Sequence, residues 1–178
     1  MIRPLLVLLL LFGPLAAIRP SFAAPARAGI APPFGRWGEE ESQLESRIIG
    51  AKAKIVEKRV LNGRDRWEVE GLIQPNLKRT IFYFRGGGLV EVELQYQSPQ
   101  WIDSDYNSFL GELRIKIEQR LGDGKLIARS KTPVGNVTQT LVGYEWSRDD
   151  SAIELVYFAA ESPSQVYRTV SLHYKSLE

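Results

Sequence analysis

Apolar and polar positions change their period along the chain, and each change marks an element. Val90, Val92, Leu94 and Tyr96 alternate with Glu91, Glu93 and Gln95. A period of two belongs to a strand with one dry face and one polar face. Trp67, Val69, Gly71 and Ile73 alternate in the same way with Glu68 and Glu70. Ala53–Leu61 and Trp67–Ile73 flank Asn62-Gly63, a pair that accepts the positive φ of a tight hairpin. Arg79–Arg85 and Leu89–Gln97 flank Gly86-Gly87-Gly88 as a second hairpin, and Gln74-Pro75-Asn76 reads as the turn between the two.

The period then becomes helical. Tyr106, Phe109, Leu110, Leu113, Ile117 and Leu121 recur at spacings of three and four. They predict a helix capped by Asp103 or Ser104 and ended by Gly122. Glu112 and Lys116 are spaced for an ion pair one turn apart. A shorter helix is predicted over Glu39–Gly50, where Leu44 and Ile48 share a face and Glu39, Glu40 and Glu41 suit the positive end of a helix dipole. Residues 122–136 are rich in turn formers and predict a long connection with a short strand near Leu126–Arg129. Thr138–Ser147, Ala152–Ala160 and Val166–Tyr174 predict three closing strands.

Together these elements predict an α+β fold, with one antiparallel sheet of about seven strands and helices on one face. An internal echo adds a further expectation. Val92-x-Leu94-x-Tyr96-x-Ser98 recurs as Val170-x-Leu172-x-Tyr174-x-Ser176. Upstream, Phe82-Tyr83-Phe84 aligns with Val156-Tyr157-Phe158 when the second turn is taken as four residues longer. The reading is a tandem repeat of a helix-plus-strands unit, with halves at 39–98 and 103–176 inside a single domain, 39–178. This element order is similar to that of exported α+β domains such as β-lactamase-inhibitor proteins and small outer-membrane assembly factors. The inhibitors' disulfides have no counterpart in a chain without cysteine.

The N-terminal pattern carries a destination. Arg3 precedes an apolar run from Leu5 to Ala17, and Ser21 and Ala23 supply small residues at a cleavage site. Residues 1–23 therefore read as a secretory signal peptide, cut after Ala23, and predict a periplasmic or secreted protein. The run is short for a membrane span, and no later run is longer, so no integral membrane segment is expected after cleavage. Residues 24–38, mostly Ala, Pro, Gly and Arg, read as a flexible leader.

Charge and composition then narrow the function. The chain has 23 Lys and Arg against 21 Asp and Glu. Without Arg3 and Arg19 of the signal peptide it is neutral, so it offers no electrostatic footprint for nucleic acid. There is no cysteine, which excludes thiol catalysis and cysteine-bound metals. His173 is the only histidine, which excludes sites needing two imidazoles. No cofactor is expected.

Strand alternation places His173 on the polar side of its strand, and Glu91 and Glu93 join it there if the echoing strands are neighbours. A triad would need such an acid and a hydroxyl beside the imidazole. Gly86-Gly87-Gly88 joins two strands and so lacks the helix N-terminus of a phosphate loop. Asp103/Asp105 and Asp149/Asp150 stand in a cap and a turn, where aspartate serves the local backbone. The strands carrying Tyr83 and Tyr157 are apolar on both faces, which predicts a second, tyrosine-bearing binding face. The leading expectation is a non-catalytic module that engages another exported protein through an open sheet face or edge strand, with Tyr83, Tyr157, His173, Glu91 and Glu93 as candidate binding residues. The alternatives are an apolar small molecule or lipid held between helix 104–121 and the sheet, and an unrecognised hydrolase.

Overall fold

The computed structural model describes residues 29–72 and 74–178. The signal-peptide reading of 1–23 and the first part of the leader lie outside the described residues. Among the described residues two helices and eight strands follow one another as α1 (Glu41–Gly50), β1 (Lys54–Leu61), β2 (Arg64–Glu70), β3 (Leu77–Arg85), β4 (Gly88–Tyr96), α2 (Asp103–Leu121), β5 (Lys125–Val134), β6 (Val137–Arg148), β7 (Ser151–Glu161) and β8 (Val166–Ser176). The strands form one antiparallel sheet in the order β1-β2-β3-β4-β8-β7-β6-β5. The α+β class and the antiparallel sheet are those predicted. No helix among the described residues is long and apolar enough to cross a membrane.

Each half is a helix followed by a four-stranded meander, and the meanders join through β4 and β8. In that central pair Val92 faces Tyr174, Leu94 faces Leu172 and Tyr96 faces Val170. The two echoing V-x-L-x-Y segments therefore lie antiparallel to each other, with the Leu94–Leu172 pair at the centre of the relation. Short turns do the rest. Asn62 and Gly63 both adopt positive φ between β1 and β2, the geometry that matches strand twist. Gly86 and Gly87 do the same between β3 and β4.

The eighth strand is β5, which replaces most of the expected connection at 122–136. It pairs with β6 along its whole length, and the hairpin turns between Val134 and Val137. Its side chains are nearly all exposed, so no dry face was present to give it a pattern. Pro133 is tolerated because β5 is an edge. Lys125, Arg129 and Lys131 discourage a further strand from adding there.

The helices cover one face. Leu44 and Ile48 of α1, and Tyr106, Leu110 and Ile117 of α2, enter a core with Trp67, Phe82, Phe84, Val92, Leu155 and Val170. The capping of α2 differs from expectation. The backbone N–H of Ile102 donates to Asp105 Oδ2 at 2.8 Å, while Asp103 accepts the hydroxyl of Tyr157. The expected Glu112–Lys116 pair is replaced by Arg114–Glu118, 2.8 Å apart. Residues 29–38, read as part of a flexible leader, are bound to the fold. Ile30 N donates to Ser151 Oγ at 2.7 Å, Trp37 Nε1 donates to the Ile30 carbonyl at 2.8 Å, and Pro32 is buried.

Candidate functional site

The ten residues of α1 pack beside β1, and α2 packs on β7 and β8. The middle of the sheet, where Leu94 meets Leu172, is left between them. A cavity of about 560 Å³ lies there. Leu94, Leu172 and Ile153 form its floor, Leu113, Ile117 and Leu121 of α2 form one wall, and Gly29–Pro33 cross it as another. Tyr174 stands in it with its hydroxyl pKa pushed up by burial, an effect the nearby Arg120 opposes. Lys116, Arg120 and Arg148 line the same cavity, and no Asp or Glu does.

The opposite face is built differently. Glu91, Glu93, Tyr83, Ser171 and His173 all sit on it, on β3, β4 and β8. His173 Nδ1 is 3.0 Å from Glu91 Oε1, and Nε2 is 3.1 Å from Ser171 Oγ and 3.7 Å from Glu93 Oε1. Arg64 Nη1 donates to Glu91 Oε2 at 2.7 Å, and its guanidinium lies over the Tyr83 ring. The Tyr83 hydroxyl donates to Glu93 Oε2 at 3.0 Å. Burial, helped by Glu93, pushes its pKa up to about 12. Arg66 and Arg79 both reach Glu68 beside them. This half of the face is a closed network of paired charges, not an apolar docking surface.

Tyr157 is not part of it. The expected alignment set Tyr157 against Tyr83, but Phe82 faces Val92 while Tyr157 faces Val170, so Tyr157 corresponds to Phe82. Its strand is offset by one residue from the expected alignment, and one residue turns every side chain to the other face. Tyr157 is buried on the helix side near Tyr106, and its hydroxyl donates to Asp103 Oδ1 at 2.9 Å. Burial and that aspartate push its pKa up to about 12.

No family model, curated protein or solved structure matches this chain. Function therefore has to be read from the two faces.

Glu91, His173 and Ser171 stand in the order of an acid–imidazole–hydroxyl relay. Ser171 is nevertheless only 6% exposed, between its cross-strand neighbours Gln95 and Val156. A nucleophile needs an open position beside it for the reacting carbonyl and for donors to the oxyanion, and Ser171 is closed in. Among the described residues no group of three or more His, Asp or Glu is placed to hold a metal ion.

The network does make an acid-sensitive element. Burial alone would raise the pKa of Glu91, but hydrogen bonds from His173 and Arg64 outweigh it and hold the carboxyl below its ordinary value. The stability this contributes is present above the ordinary glutamate pKa of about 4.3 and is lost as pH falls through the lower folded value. Glu91→Gln is expected to lower the urea midpoint at neutral pH and to flatten its decline toward about pH 3. An unchanged acid limb would show that Glu91 is not the group responsible.

The sequence offered a pocket between helix 104–121 and the sheet as an alternative but named no residues for it, although α2 carries a signal for them. Lys116 and Arg120 run along the edge of the stripe of Leu113, Ile117 and Leu121, three residues on from Leu113 and Ile117. Cations along the edge of an apolar stripe place charge where the helix leaves its core for solvent.

Proposed function

We propose that the protein is a non-catalytic binding protein that holds an apolar small molecule in the cavity between α2 and the centre of the sheet. The observation that carries this reading is the cavity itself. Its volume of about 560 Å³ falls within the range of small-molecule sites. Its floor is the Leu94–Leu172 pair, walled by α2 and by Gly29–Pro33. The chain reaches its site as an exported protein, a reading supported by the apolar run and small-residue cleavage site within residues 1–23.

N-phenyl-1-naphthylamine, a neutral apolar dye that brightens when desolvated, tests the reading. The protein is expected to enhance its fluorescence in a saturable way. Leu113 is half-buried on the cavity wall, so Leu113→Trp has room to fill the cavity without crowding the core. That variant is expected to weaken dye binding about tenfold or more while leaving the melting temperature within a few degrees. Equal dye binding by Leu113→Trp would place the dye elsewhere and remove the support for the cavity.

A second reading has its own observation. On the face away from the helices, Leu141, Val156 and Phe158 adjoin Ile127 and Tyr167, and the last two are 41% and 44% exposed. This apolar patch on β5–β8 supports docking of another exported protein on the open sheet face, beside the charged network and not through Tyr157.

A further inference from the structure

We infer that the cavity's ligand is a single-chain amphiphile with a carboxylate head, its tail over Leu94 and Leu172 and its head at the mouth formed by Lys116, Arg120 and Arg148. This rests on the cavity reading above and adds the ligand's charge and orientation.

The charge pattern carries it. On the opposite face the cations Arg64, Arg66, Arg79 and Lys175 are each matched to a glutamate. At the cavity the balance is reversed. Among the described residues Lys116, Arg120 and Arg148 make no ion pair, and no acid lines the space they share. Arg148 gives one nitrogen to the Leu121 carbonyl at 3.0 Å, which fixes the guanidinium at the C-terminal end of α2 and leaves its other donors free. Lys116 and Arg120 are exposed and one turn apart, each three residues on from a cavity-lining apolar residue, Leu113 and Ile117, along the edge of the apolar stripe.

An apolar floor with a cationic mouth suits a molecule that is apolar along its length and anionic at one end. A neutral apolar ligand would leave the cations unused. A small free anion would leave the leucine floor wet. Two further polar groups can reach the head or its water, the hydroxyl of Tyr174 and the side chain of Gln74, which already donates to Tyr96 at 2.8 Å.

The test uses the chain purified in the form its producing cell accumulates. Two probes with the same tail are titrated, 11-(dansylamino)undecanoic acid and its methyl ester. The acid is expected to bind about tenfold tighter, the scale of one charge-assisted contact, and to lose that advantage at high ionic strength. In a Lys116→Gln, Arg120→Gln double variant the acid's advantage over the ester is expected to fall to about threefold or less, the remainder resting on Arg148, with the ester's affinity unchanged. Both positions are exposed, so the fold is not at risk. If the ester binds the parent as tightly as the acid, the anionic head is overturned and the cavity reading stands. If the acid's advantage survives undiminished in the double variant, the head lies elsewhere and the orientation is overturned. If neither probe binds the parent, both readings fall.

Discussion

Replacing Tyr83 and Tyr157 together by serine is expected to abolish the folded state at room temperature. Both rings are buried, at 9% and 4% exposure, but on opposite faces of the sheet. Removing a buried aromatic side chain costs about 3–5 kcal/mol, and sites that share no partner add, so the pair costs about 6–10 kcal/mol. A domain of this size has about 5–15 kcal/mol in all. Serine also leaves Glu93 without the Tyr83 hydroxyl and Asp103 without that of Tyr157. Thermal melting followed by far-ultraviolet circular dichroism reads the result. A double variant melting within a few degrees of the parent would mean that one of the two rings is not core. The single variants are expected to differ in kind. Tyr157→Ser breaks the link between β7 and the start of α2, whereas Tyr83→Ser opens the charged network around Glu93.

The second large effect is expected at the centre of the sheet. Leu94 and Leu172 are cross-strand partners and both are buried, at 2% and 4% exposure. Leu94→Ala or Leu172→Ala is expected to cost about 2–5 kcal/mol, because each loses transfer energy and leaves a space the sheet cannot close. The double variant is expected to cost less than the sum, since the first substitution already enlarges the cavity that the second would open. Urea midpoints for the two singles and the double provide the cycle. A sum that holds to within about 0.5 kcal/mol would mean that the two leucines do not share one space.

What the sequence revealed, and what it hid, follows from where the information sits. Alternation along Val90–Tyr96 and the helical stripe from Tyr106 to Leu121 are local, and each led to the right element. The echo between Val92–Tyr96 and Val170–Tyr174 is also local, and in the fold it is the pairing that joins the two halves. β5 was legible only in part because an exposed edge strand is held by its backbone and needs no apolar pattern. Tyr157 was assigned to the wrong face because its strand is offset by one residue from the expected alignment, and no pattern within the strand reveals such an offset. The charged group of Glu91, Glu93 and His173 was readable once β4 and β8 were taken as neighbours. A pocket between helix 104–121 and the sheet was one alternative only, and its lining was not readable, because it depends on how far a ten-residue α1 and a nineteen-residue α2 reach across eight strands and on the path of Gly29–Pro33. Both are properties of packing between distant segments.

The two faces of the sheet make separable claims on a ligand, and methyl groups report on them separately. Leu94, Leu113, Ile117, Leu121, Ile153 and Leu172 line the cavity, while Ile127, Leu141 and Val156 lie on the opposite face. A titration of the isoleucine-, leucine- and valine-methyl-labelled chain with dodecanoate, followed by two-dimensional methyl NMR, is the most direct measurement. The binding account predicts saturable shifts confined to the first set, largest at Leu94 and Leu172. Shifts confined to Ile127, Leu141 and Val156, or no saturable shift at any methyl, would contradict it.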